Sequence, residues 1–242
     1  MNKLSALTLR NIKEIIRDPL SLVFCIGFPV VMLVLMQAII GQIPGSPEMF
    51  NIVNYAPGIC VFGYTFSMLF VAMIIAHDKN TEFVNRLNIA PIKKSTYIFS
   101  YVLGVMPVVF VQTLLFFAIS LCFGLPFSAN TALAFVCLIP SAIFYVVLGV
   151  LLGNLSKSEK QVGPICSIII SLAGMLGGVF MPVQNMGAFS TIVNALPFWH
   201  TVQLGAGAIT LQTSQLLIHF AVVVGYSLLV VGLTYIIHKR RK

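Results

Sequence analysis

Residues 95–156 read STYIFSYVLGVMPVVFVQTLLFFAISLCFGLPFSANTALAFVCLIPSAIFYVVLGVLLGNLS, without a single Lys, Arg, Asp or Glu. The stretch from Gln161 to His238 is equally free of formal charge. A soluble domain carries roughly 25% charged residues. This 242-residue chain carries 8%, with 59% hydrophobic residues and a mean hydropathy of +1.01. That is too little charge to coat a water-facing surface, and the ordinary Gly, Pro and aromatic content excludes disorder. A polytopic membrane protein remains, and it is expected to be all-α because a helix satisfies its own backbone hydrogen bonds in lipid.

Dividing the apolar stretches at their Gly, Pro and polar interruptions, with about 20 residues per crossing, predicts six spans. They are Leu20–Ile40, Pro57–Ala76, Tyr97–Phe123, Thr131–Gly153, Gly163–Val183 and Leu216–Ile237. The third is longer than one crossing requires, so it is expected to tilt or project, with a kink at Pro107. An even number of spans puts both termini on one side. All 14 Lys and Arg residues then fall on that side, and the opposite loops hold one formal charge, Glu48. The positive-inside bias therefore predicts cytoplasmic termini. A net charge of +8 would suggest nucleic acid as a partner for a soluble protein, but this placement points to the membrane surface and to no nucleic acid. The chain reads as one transmembrane domain, 1–242. The opening apolar run is too long for a signal peptide and no small-residue cleavage site follows it. Cys25, Cys60, Cys122, Cys137 and Cys166 sit within apolar runs and form no CxxC pair, so they read as packing residues, and no metal site is assigned.

Three segments outside the spans are informative. Residues 1–18 read as an interfacial amphipathic helix, with Lys3, Arg10, Lys13, Glu14 and Arg17 on one side, toward lipid headgroups. Leu4, Leu7, Ile12, Ile15 and Ile16 occupy the other side, in the acyl boundary. In the loop 78–94, Phe83, Leu87 and Ala90 recur at helical spacing as an apolar ridge, Asp78, Glu82 and Arg86 face elsewhere, and Pro91 ends the helix. Such a ridge suits a groove on a partner protein. The outer segment 184–215, uncharged and broken at Pro197, reads as one or two short helices re-entering the outer leaflet.

The same loop resembles that of type-2 ABC exporter permeases, the transmembrane subunits related to drug and polysaccharide exporters. Asp78, Arg86 and Pro91 keep the family spacing, with Glu82 where Gly is usual and Phe83 where Thr is common. Gly177, Gly178, Phe180 and Pro182, then Leu196 and Pro197, resemble the family's fifth-span ending, and Pro57-Gly58 matches the start of its second span. The resemblance implies a separate ABC ATPase subunit that binds ATP and Mg, this chain holding no cofactor and having no catalytic residues. It also implies a second permease protomer, identical or paralogous, and a multi-pass location in the cytoplasmic membrane with lipid contacts. Asp78, Glu82, Phe83, Arg86, Leu87 and Pro91 would couple to the ATPase. Tyr64, Phe66, Ser67, Ser167 and Ser171 would line the substrate path, because the second and fifth spans line the cavity in related exporters. Gly174, Gly177, Gly178, Phe180, Pro182 and Pro197 would form the outer gate and its packing.

The absences agree with that picture. No span contains Asp, Glu, Lys or Arg, which ion-coupled carriers normally need within the membrane. There is no GxxxxGK[ST] phosphate loop, so the chain is not itself an ATPase by that route, and no HExxH or triad-like grouping suggests an intramembrane enzyme. The expected function is export of an apolar or amphipathic substrate, such as a drug, a lipid-like molecule or a peptide antibiotic. An ion-gradient carrier or channel, or a sensor or immunity subunit that transports nothing, is the alternative. His200, beside Trp199, and His219 lack a further ligand at suitable spacing, and Trp199 reads as an interfacial anchor.

Overall fold

The structure, a computed structural model, describes residues 3–40, 43, 45, 47–81, 94–183, 187, 189–211 and 213–240. These residues are helical with short connections, and none of them forms a strand. Among the described residues, four helices are long and apolar enough to cross a membrane: Ile52–Lys79, Ser95–Cys122, Ala129–Leu155 and Ser214–Ile237. Each coincides with one expected span to within five residues at either end, the second stopping at Cys122 where Phe123 is expected.

The chain begins with α1 (Lys3–Ile16). After Asp18 come α2 (Pro19–Leu22), a π-helical turn at Val23–Gly27 and α3 (Phe28–Ile39), stacked as one apolar helix. Pro29 explains the wide turn. Its missing N–H cannot bond the Cys25 carbonyl, and the Phe28 N–H reaches back five residues to the Val23 oxygen.

Helix α4 (Ile52–Lys79) starts at Asn51, whose side chain caps the Val53 N–H at 3.1 Å, and continues through Pro57. It is the central helix: 83% of its apolar window is buried inside the chain. Helix α5 (Lys94–Cys122) passes unbroken through Pro107. Helix α6 (Ala129–Cys137) is capped by Ser128 and gives way at Leu138, just before Pro140, to α7 (Ile139–Leu155).

The closest seam lies between α4 and α7, and two glycines make it possible. A Cβ on Gly149 would sit 2.4 Å from the Met68 carbonyl oxygen, and one on Gly153 would sit 2.8 Å from that of Ala72. This GxxxG pair brings backbone against backbone, the arrangement small residues permit in membranes.

Helix α8 (Glu159–Leu176) ends at Gly177, and Gly178 adopts φ +74°, a left-handed value suited to glycine. The helical part of the fifth expected span is therefore shorter than the expectation of Gly163–Val183. Two short helices follow, α9 (Phe189–Ala195) and α10 (Pro197–Ile209), with α10 buried along most of its length. Helix α11 (Thr213–Arg240) lies at the periphery, with only 11% of its apolar window covered.

Candidate functional site

Successive helical residues point about 100° apart, so one turn at a helix end can address several neighbours. The last turn of α4 does so. His77 Nδ1 lies 2.5 Å from Glu159 Oε1, at the start of α8. Lys79 Nζ donates to the carbonyls of Gly153 (2.6 Å) and Asn154 (2.5 Å), meeting the unpaired oxygens and the negative dipole end of α7.

Between them, Asp78 turns inward and is fully buried. Arg10 of α1 grips it with both arms, Nη1 to Oδ2 at 2.6 Å and Nη2 to Oδ1 at 2.7 Å, and the Tyr101 hydroxyl of α5 donates to Oδ2. The Tyr97 and Tyr101 hydroxyls lie 3.0 Å apart. Next to Arg10, Asn11 donates to Ser100 Oγ at 3.2 Å, and Gly104 lets α1 approach, since a Cβ there would meet Asn11 Cβ at 2.8 Å. Four helices, α1, α5, α7 and α8, are thus tied to the residues that immediately precede the loop 82–93.

Charge is balanced within this clasp. Burial alone would lower the Arg10 pKa, but the hydrogen bond and charge of Asp78, aided by Glu14, hold it above its ordinary value. The Glu14 carboxyl is raised, first by burial and then by the nearby Asp78 charge, against the opposite pull of Arg10 and His77. Glu14 Oε2 is 3.0 Å from Arg10 Nη2 yet has no well-aligned hydrogen bond, so this oxygen is only partly compensated.

Two expectations gain detail here. Arg10 and Glu14, expected on the headgroup side of α1, lie on an edge turned toward Asp78 of α4, since a buried carboxylate requires a counter-ion, while Leu9 and Ile16 are exposed. Asp78, expected to meet the ATPase, has its carboxylate committed inside the chain. Glu82, Phe83, Arg86, Leu87 and Pro91 lie outside the described residues.

The residues expected along the substrate path are not gathered in one cavity. Tyr64 is buried against α5, 2.7 Å from Thr113 Oγ1, and accepts from Cys60 Sγ at 3.3 Å. Ser67 donates to Gln112 Oε1 at 3.1 Å, and the Gln112 amide lies flat against Gly63, where a Cβ would be 2.0 Å from Nε2. Phe66 packs on Phe28 and Phe62. Ser167 and Ser171 are exposed on α8, each donating to the carbonyl four residues earlier.

The expected gate residues do converge. Gly174 accommodates the Phe180 ring, which meets Phe62 edge-on at 4.9 Å, and Gly178 accommodates Trp199. Pro182, Gly178 and Trp199, with Glu48, Gln203 and Gln215, line a cavity of about 400 Å³. The half-buried Trp199 ring lies against Gly178. Pro197 begins α10, whose Thr201 carbonyl accepts from Ser141 of α7 at 2.9 Å.

Sequence spacing offered no partner for His200, yet its Nδ1 lies 2.7 Å from His219 Nδ1, and its Nε2 is 2.8 Å from the Asn194 carbonyl. The clasp residues Arg10, Lys79 and Tyr101 were missed as well. The unusual feature that could have signalled Arg10 is a lone acid, Asp78, at the end of an apolar helix with no basic residue four positions away on that helix.

An all-helical bundle with four helices long and apolar enough to cross a membrane is a polytopic membrane domain. The ABC-2 type transporter family profile matches residues 2–210, and the chain belongs to that family: it is a type-2 ABC permease. It is also similar to "ABC transporter G family member 23" of Dictyostelium discoideum, at 23% identity over 140 residues, 57% of this chain and 20% of that protein. The match thus spans about a fifth of that relative's length.

Proposed function

We propose that this permease moves an apolar or amphipathic substrate out of the cytoplasm or the inner leaflet, driven by a separate ATPase subunit that docks on the loop after Lys79. The observation that carries this reading is the clasp. Because His77, Asp78 and Lys79 bind α8, α1, α5 and α7, a push on the following loop reaches most of the bundle through short polar contacts. The ATPase would have to bind two bundle states with different affinity for its closure to shift their balance.

In this reading the end of the bundle that holds the clasp faces the cytoplasm, where all 14 basic residues gather. The apolar helix Pro19–Ile39 and α8 complete six spans, and α9 and α10 fold back from the outer surface. A second protomer covers the exposed stripe of Ile168, Leu172 and Met175 on α8. The near absence of charge within the spans favours substrates without strong charge.

The test is co-purification with the cognate ATPase and measurement of its membrane-bound ATP hydrolysis, for the native chain and for a Phe83→Asp, Leu87→Asp variant. Loss of the complex with the permease still folded supports the docking loop. An ATPase that binds the variant as well as the native chain overturns it.

A further inference from the structure

The cavity beside Trp199 lies at the end of the bundle opposite the clasp. Asn54, on its wall, and Asp78 are 24 residues apart on α4, about 36 Å. Its volume, about 400 Å³, is within the range of ligand sites, about 300–1,000 Å³. The wall is mixed. Trp199 and Val202 of α10 supply apolar surface, while Glu48, Asn54, Gln203 and Gln215 bring one carboxylate and three amides to the same space. The carboxylate stands on a fastened turn. Glu48 opens the 3₁₀ turn Glu48–Phe50; its backbone carbonyl accepts from Asn54 Nδ2 at 3.1 Å, and that of Phe50 accepts from Gln37 Nε2 at 2.9 Å.

The chain offers this carboxylate no counter-ion. Among the described residues Glu48 takes part in no ion pair. Sequence excludes a basic partner at this end as well, since 40–56, 123–131 and 177–215 contain no Lys or Arg. On the helices that reach the cavity the basic residues stand at the far ends: Lys79 lies about 37 Å beyond Asn54 along α4, and Lys160 about 24 Å before Leu176 along α8. His200 and His219 face each other, Nδ1 to Nδ1, at 2.7 Å. A hard metal ion would ask for several oxygen ligands of high charge. A single carboxylate beside an indole ring and neutral amides suits an organic ammonium ion, which the ring attracts by its face.

We propose that this cavity binds an organic ammonium group, with Glu48 as its counter-ion and Trp199 as its aromatic wall. The site goes beyond the transport reading, and it does not depend on the direction of transport or on the ATPase.

The experiment uses the full chain purified in a neutral sugar detergent without the ATPase, so its failure leaves the transport reading intact. Trp199 is the only tryptophan in the chain, and its fluorescence reports on the cavity directly. Choline is titrated against the uncharged alcohol in which carbon replaces its nitrogen. At a site open to water, a carboxylate and an indole each strengthen the binding of a cation about two- to fivefold. Choline should therefore bind about tenfold tighter than the alcohol, with a saturable change in Trp199 emission. Glu48→Gln, at an exposed position, should weaken choline about fourfold and leave the alcohol unchanged, with the chain still monodisperse and helical by circular dichroism. Phosphocholine separates two sources of the same group: affinity equal to that of choline assigns the site to a lipid headgroup, and weaker affinity assigns it to a free amine. Equal affinity for choline and the alcohol, a Trp199 signal that never saturates, or indifference to Glu48→Gln would each overturn the proposal.

Discussion

Removing Arg10 should harm this protein more than neutralising Asp78, although the two belong to one ion pair. The reason is solvent access: the Arg10 side chain is 33% exposed and that of Asp78 is 0% exposed. In Arg10→Met, the buried carboxylate keeps only the Tyr101 hydroxyl, and breaking a buried pair from one side costs about 3–5 kcal/mol. In Asp78→Asn, the guanidinium can turn toward Glu14 or water while the amide still accepts from Tyr101, so about 1–3 kcal/mol is expected. The double variant should cost less than the sum, because no unpaired buried charge remains. The assay is thermal unfolding in detergent across the two single variants, the double variant and the native chain. Equal costs for the two single variants, or a double variant as costly as the two added together, would refute the argument from burial.

Other outcomes follow from particular contacts. Gly149→Ala places a Cβ against the Met68 backbone, and forcing α4 and α7 apart should cost about 1–3 kcal/mol. Gly225→Ala, in the middle of α11, meets no atom within 4 Å and should be neutral or gain up to about 1 kcal/mol from helix propensity, so thermal unfolding of the pair separates close packing from glycine chemistry. Glu14 carries a raised carboxyl pKa, so the folded chain binds more protons than the unfolded chain, and this group's contribution to stability declines as pH rises from the ordinary value of 4.5 through the folded one. Glu14→Gln should therefore raise the unfolding temperature near pH 7 and flatten that decline; a lower unfolding temperature near pH 7 would contradict it. Tyr64→Phe removes one interhelical hydrogen bond and should cost only about 0.6 kcal/mol, measured against Thr113→Val and the double variant.

Composition and charge placement were enough to define a helical membrane protein, because lipid forbids scattered charge and tolerates long apolar helices. The four long spans were legible for that reason, and so was membership of the permease family, through the order of its loop and glycine motifs. What periodicity could not tell was which way a polar residue on an apolar helix would turn. Asp78 resembled a surface contact, since sequence neighbours carry no information on a partner 68 positions away; only the packing of α1 on α5 shows that it is buried against Arg10. The same limit applies to the glycines. Gly174 and Gly178, expected among the outer-gate residues, make room for aromatic rings, while Gly149 and Gly153, given no role by the sequence, set the closest helix seam. His200 and His219, 19 residues apart, meet only because α10 folds against α11. Local chemistry decides whether a segment enters the membrane, but long-range partnership depends on helix rotation and approach, and these arise only when all the helices pack together.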